Sequence, residues 1–430
     1  MVKKVVFSLT LLSLLFVSSL NAFAEQSQSQ IDKGDTAWMI VSTALVMLMT
    51  VPGLALFYGG LVKKKDVLNT IAMSFVSYCI VSFLWIVYGY SLSFSGDIGG
   101  IIGYLDKAFL KGVKIESLQG TIPEVLFSMF QLTFAAITVA LVSGAYIERI
   151  RFSAWILFSI LWMSFVYVPV AHWVWGGGFL AKMGALDFAG GTVVHVNAGI
   201  AALVGVLMLG KRKNTMLIPN NLTLVSIGTA LLWFGWFGFN AGSAASSNAV
   251  AAQAFINTNT AAAVAALAWM LTEWIITKKP TVLGIASGII AGLVAITPAA
   301  GFVNITGSVM IGAIAGVICY FSVTAMKPKL GYDDALDVFG IHGLAGIMGA
   351  ILTGVFADPS VNEAGKGLLY GNAKQVLIQL AAVGVTMLYT AIMTCLIFLI
   401  IRLFMKIRVH EEDEIIGLDS SAHGEKAYNL

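Results

Sequence analysis

Apolar runs close to the ~20 residues that cross a ~30 Å hydrocarbon layer recur from Thr36 almost to the end of the chain. Eleven are counted, at approximately 36–62, 67–92, 121–147, 152–175, 188–210, 221–243, 252–277, 281–299, 305–326, 338–357 and 375–401. Runs of this length predict membrane-spanning helices, the form in which a single segment satisfies its own backbone hydrogen bonds in lipid. Two partitions are faint because residues 220–272 and 280–326 carry no charge. The first is divided at Ala-Gly-Ser-Ala-Ala-Ser-Ser-Asn and the second at Pro298 to Asn304.

The N-terminus has a different pattern. Lys3 and Lys4 precede an apolar run from Val5 to Leu20, and Asn21-Ala22-Phe23-Ala24 ends in an A-x-A cleavage pattern. Residues 1–24 therefore read as a secretory signal peptide, with a mature chain that begins outside at Glu25.

Charge placement orients the spans. If the mature terminus is outside, the inner positions hold Lys63 to Lys65, Arg149, Arg151, Lys211 to Lys213, Lys278, Lys279, Lys327, Lys329, Arg402, Lys406 and Arg408, whereas seven lysines fall outside. This bias follows the positive-inside rule. An odd number of spans leaves the C-terminus inside, giving a membrane domain at 25–406 and a short polar cytoplasmic tail at 407–430, suited to docking or gating.

Composition agrees. Of 430 residues, 58% are hydrophobic and 11% charged, against about 25% charged in soluble domains, which excludes a cytosolic enzyme. A net charge of +3 supplies no field for nucleic acid. Cys79, Cys319 and Cys395 lie in apolar runs without CxxC spacing, so neither a disulfide framework nor a metal site is expected.

Ionisable residues inside spans are costly and therefore informative. The fifth span carries Asp187-Phe-Ala-Gly-Gly-Thr-Val-Val-His195, and the tenth carries Asp337-Val-Phe-Gly-Ile-His342. Each has an aspartate at its start and a histidine ~12 Å or ~7.5 Å along. They are offset by five spans, so spans 1–5 and 6–10 have opposite topology, as in an inverted repeat with a path near the midplane. The eleventh span would wrap the outside. A neutral imidazole pair suits hydrogen bonding to a small polar solute or relay of a proton. The alternative is that each His satisfies a neighbouring helix.

Aromatics mark an outer mouth: Trp175 ends the fourth span, Trp236, Phe239 and Ser243 end the sixth, and Phe130 and Phe134 lie on the third. Aromatic faces attract a cation by ~0.5–2 kcal/mol, and a hydroxyl accepts from an N–H donor. An interfacial aromatic belt is the competing reading.

These segments resemble the ammonium transporter (Amt/Mep/Rh) family. Asp187 to Gly199, Pro52-Gly-Leu-Ala-Leu-Phe-Tyr-Gly-Gly60, Glu148-Arg-Ile-Arg-Phe-Ser153, Gly235 to Ser243, Asp337 to Gly343 and the tail Gly417 to Tyr428 all match its bacterial pattern, whereas the loop 93–120 matches poorly. The resemblance implies an all-α inner-membrane channel for ammonium or ammonia, with methylammonium as an analogue, that is not an enzyme and needs no cofactor. It implies an outer site at Trp175, Ser243 and Phe130, a stacked gate at Phe134 and Phe239, and a pore pair at His195 and His342. Asp187 would support recruitment, with Tyr167 and Trp236 near the vestibule and lower pore and Asp337 in support. A homotrimer shut by a trimeric PII-family signal protein at the cytoplasmic exit is also implied. The residues alone leave open a proton- or sodium-coupled amine carrier, an intramembrane enzyme and an ammonium sensor. They also leave open whether the proton crosses with the ammonia.

Overall fold

Short polar side chains start the helices that follow the faint boundaries. Asn221 accepts from the Leu224 amide at 3.0 Å, Asn248 from Ala251 at 3.0 Å, Thr281 from Gly284 at 2.9 Å and Asn304 from Gly307 at 3.0 Å. Each satisfies one amide that a first helical turn leaves without a partner. The computed structural model describes residues 30–216 and 218–428. The signal peptide expected at 1–24 lies outside them.

Ten of the described helices are long and apolar enough to cross a membrane: α1 Lys33–Leu61, α2 Val67–Phe94, α3 Glu124–Tyr146, α4 Phe152–Met183, α5 Gly191–Leu209, α6 Leu222–Gly242, α7 Ala249–Thr277, α9 Ile305–Leu330, α10 Phe339–Phe356 and α11 Lys374–Phe404. Between α7 and α9 lies the shorter apolar α8, Val282–Ile296. Its run was expected to reach residue 299 but stops at Ile296, two residues before Pro298: Thr297 keeps helical dihedrals, but proline has no N–H to donate to the carbonyl four residues back and its ring crowds that carbonyl. Residues 297–303 continue as buried turns. The helix of α4 is interrupted at 175–178, where Trp175 and three glycines lie. Departures from all-α structure are minor, the paired strands β1 Leu118–Gln119 and β2 Ile122–Pro123 being two residues each.

Small residues allow close packing in the second half. Ala261, Ala262 and Ala265 of α7 are fully buried, and α8 and α9 both lie over the Ala261 carbonyl at Gly292 and Gly312. Close approach at small residues is how helices associate where water supplies no hydrophobic drive. Helix α11 buries Gln379, Thr386, Thr390 and Thr394 while exposing Leu377, Leu388 and Leu403.

Two of the basic residues counted as inner-face markers are buried in an ion-pair network. Arg212 bonds the Asp333 carboxylate at 2.8 Å and Glu148 at 3.1 Å, while Arg149 donates to the Asp333 carbonyl at 2.6 Å. Lys63 closes the set on Glu148 at 2.8 Å. The loops after α1, α3, α5 and α9 are thereby tied together.

The tail packs onto the same end through α12 Glu411–Ile416 and α13 Leu418–His423. The Leu418 amide donates to Asp66 at 2.8 Å, Asp419 accepts from the Asn69 amide at 2.8 Å, and the Tyr428 hydroxyl donates to Asn220 at 2.6 Å.

Candidate functional site

Asp187 accepts four amides in the turn that begins α5: Gly190 at 2.8 Å, Gly191 at 2.7 Å, Thr192 at 2.8 Å and Val193 at 3.0 Å. Gly190 allows this turn with φ +110°, in the left-handed region where a side chain is strained. The Asp187 carbonyl also accepts the Trp175 indole N–H at 2.9 Å. One residue thus holds both the helix that carries His195 and the tryptophan at the mouth.

The mouth is a cavity of about 290 Å³ whose walls include Phe127, Phe130, Gln131, Phe134, Trp175 and Ser243. The three residues expected to form an outer site are therefore together. Because the Ser243 hydroxyl donates its hydrogen to the Phe239 carbonyl at 2.8 Å, its lone pairs are left for an incoming N–H donor. Phe127 and Gln131 were not singled out in the sequence, although the spacing 127, 130, 131, 134 places them on one helix face, where the motif signal is only ordinary helical periodicity.

Below the cavity, Phe134 and Phe239 stack with ring centroids 4.2 Å apart and planes at 25°. The series continues without a break: Phe239 to His195 is 6.1 Å and His195 to His342 is 5.4 Å. The two Nδ1 atoms are 3.3 Å apart, so one ring donates Nδ1–H to the bare Nδ1 of the other, and in a neutral pair the two are different tautomers. Trp236 stacks on His195 at 5.5 Å and 19°, and its indole N–H is held by Thr297 at 2.9 Å. Beyond the pair, Ile341 borders a second cavity of about 550 Å³ that is also lined by Lys211, Tyr332 and Asp337.

Helix crossing sets the His–His distance. A Cβ on Gly199 would fall 2.2 Å from Gly343 Cα, so α5 and α10 touch backbone to backbone one turn after His195 and immediately after His342. Both histidines also lie in widened helical turns, at 191–196 and 339–343, a geometry frequent at functional sites.

One expectation changes. Asp337 is not the counterpart of Asp187: it pairs with Lys327 at 2.6 Å and lines the second cavity. The capping role belongs to Asp334, fully buried, which accepts the Phe339 amide at 2.7 Å. Asp334 precedes His342 by eight residues, as Asp187 precedes His195. That equal spacing was the available signal, and it was passed over because Asp337 is nearer the apolar run. Tyr167, expected near the vestibule, is fully buried behind the wall of the mouth cavity, its ring 6.3 Å from that of Trp85, which in turn lies 6.2 Å from the cavity residue Phe94.

The sequence profile described as the Ammonium Transporter Family matches residues 37–428. The chain is 62% identical to an ammonium transporter of Aquifex aeolicus over 97% of its length and 98% of that protein, and 55% identical to one of Bacillus subtilis over 92% and 98%. Its structure superposes on the crystal structure of Candida albicans Mep2 with a TM-score of 0.84 and 38% identity, covering 91% of this chain and 90% of that one. A structure described as a sensor Amt protein also matches, with a TM-score of 0.84 and 28% identity over 91% and 98% of the two chains. With a family profile over nearly its whole length, relatives well above 30% identity and ten helices of membrane-spanning length, the chain belongs to the ammonium transporter family as a multi-pass membrane protein.

Proposed function

We propose that this transporter recruits NH4+ at the outer cavity, removes its proton near the stacked phenylalanines and conducts NH3 past the histidine pair. The observation that carries the reading is the unbroken series of rings that starts in the wall of the outer cavity at Trp175 and Phe134 and runs through Phe239 and His195 to His342, next to Ile341 of the second cavity. At the mouth, the indole and phenyl faces attract a cation and the Ser243 oxygen accepts one of its N–H bonds. Deeper, the groups that the ring series sets in line are the aromatic faces of Phe134, Phe239 and Trp236 and the two imidazoles. Taking an ion out of water costs several kcal/mol or more, whereas neutral ammonia sheds only its hydrogen-bonding partners. K+ has no proton to lose and is refused. The pair sharing one Nδ1 hydrogen gives ammonia both a donor and an acceptor along the way, and is also a route by which the released proton could follow.

In the same reading, α8 completes eleven spans arranged as an inverted 5+5 repeat with α11 outside. The N-terminus is external after removal of residues 1–24, and 407–430 form a cytoplasmic tail on the 25–406 membrane domain. The setting is a bacterial inner membrane, where the transporter serves nitrogen utilisation as a homotrimer. A PII-family protein would close the inner cavity from the cytoplasmic side. Liposomes containing the purified protein, given an ammonium gradient while current and internal pH are recorded together, test the core of this reading. An ammonium-dependent signal with no K+ current supports it; absence of any ammonium response overturns it. The ratio of charge to ammonia moved separates neutral from electrogenic conduction.

A further inference from the structure

Helix α11 has 31 residues and is therefore about 46 Å long, longer than a ~30 Å hydrocarbon layer. Its outward leucines run to Leu403, 80% exposed, with Phe404 beside it at 73%. The chain then turns under the helix bundle, held by the Arg151 amide on the Ile407 carbonyl at 2.8 Å. This turn encloses a cavity of about 380 Å³ lined by Met208, Leu209, Arg402, Lys406 and Arg408. Three cations thus meet where an apolar, outward-facing helix stripe ends.

Their charges are largely uncompensated. Arg408 pairs with Glu414 at 2.8 Å, but Arg402 donates only to the Met208 carbonyl at 2.7 Å. Lys406 is exposed in the cavity wall and, among the described residues, has no hydrogen bond and no ion pair, unlike its neighbours Arg402 and Arg408. A guanidinium and an ammonium in the wall of one cavity supply the charge and the N–H donors that a phosphodiester takes, and the exposed Leu403 and Phe404 side chains offer an apolar surface to an acyl chain.

We propose that this cavity seats the headgroup of an anionic phospholipid of the inner leaflet, with Arg402 and Lys406 on its phosphate. The assignment rests on the inward placement of the C-terminus proposed above, but lipid binding by purified protein is scored without reference to orientation or transport. The test is native mass spectrometry of the delipidated full chain titrated with phosphatidylglycerol, phosphatidylcholine or inorganic phosphate. In the Arg402→Gln/Lys406→Gln variant, one phosphatidylglycerol per chain should bind about thirtyfold more weakly, about 1 kcal/mol for each basic side chain. Phosphatidylcholine binding should be unchanged. Lys406→Gln alone, which disturbs no contact of the fold, should lose roughly the square root of that factor. Equal phosphatidylglycerol binding in wild type and variants overturns the proposal. So does displacement of the lipid by millimolar inorganic phosphate, which marks a free-anion site, or a drop in oligomeric state without a change in lipid count, which marks a contact between copies.

Discussion

A carboxylate that accepts four amides and an imidazole that shares one hydrogen place different demands on their surroundings. Asp187 compensates its burial entirely through backbone donors. Asp187→Ala strands all four, and since a hydrogen bond to a charged group contributes ~1.5–3 kcal/mol, the loss should exceed about 3 kcal/mol even without additivity. Asp334 makes fewer such bonds and leaves Oδ1 without a partner, so Asp334→Ala should cost less. Thermal melts of the two purified variants check the order; equal losses would break the asymmetry. On the proposed path, His195→Ala and His342→Ala each remove a partner from a 3.3 Å pair and open room for water. Either should relax the refusal of K+ by at least tenfold, read as the ratio of K+ to ammonium current, and unchanged ratios in both variants would end the pair's role.

Elements decide the geometry that those side chains share. The α5/α10 crossing is close only because Gly199 meets Gly343, so Gly199→Ala must push the helices apart by the width of a methyl group. Overpacking of this kind costs ~1–3 kcal/mol. The functional loss should exceed the stability loss, because the added separation opens the Nδ1 to Nδ1 contact directly. Ammonium flux through liposomes, compared with the melting temperature of the same preparation, measures both; normal flux in a stable variant would show that the crossing distance is not what matters. The capping relation also belongs to this scale. Motif spacing made Asp187/His195 legible in the sequence, but the same argument chose Asp337 for α10, since no linear pattern shows that Asp337 pairs with Lys327 while Asp334 turns toward the helix start.

Across the whole molecule, the tail links the two ends of the chain. Asp66, between α1 and α2, is 1% exposed beneath Leu418. Burial is the main cause that raises its carboxyl to about 7, with the Leu418 amide opposing and the nearby Glu148 and Asp419 carboxylates adding to the rise. A carboxyl raised in the docked state binds its proton more tightly there than when the tail is free. Docking is therefore favoured below the ordinary carboxylate range and loses that contribution as pH rises through about 7. Hydrogen exchange of residues 411–428 should be slower at pH 6 than at pH 8, and Asp66→Asn should remove the difference. A difference that persists in the variant would assign the pH response to other groups.

By itself, the sequence determined the apolar runs, most of their boundaries, the paired histidines and the aromatic residues of the mouth. These are properties of local period, length and motif, set by what a chain must do to cross lipid. The end of α8 at Ile296 was written in Pro298 but was read too late by three residues. Only the tertiary structure decided which aspartate caps α10, that Phe134 and Phe239 stack at 4.2 Å, and that Arg149 and Arg212 are buried on Asp333 instead of facing water. Those outcomes depend on how close helices distant in sequence approach one another, a distance set by the small residues at their crossings and by the partners that each buried charge finds.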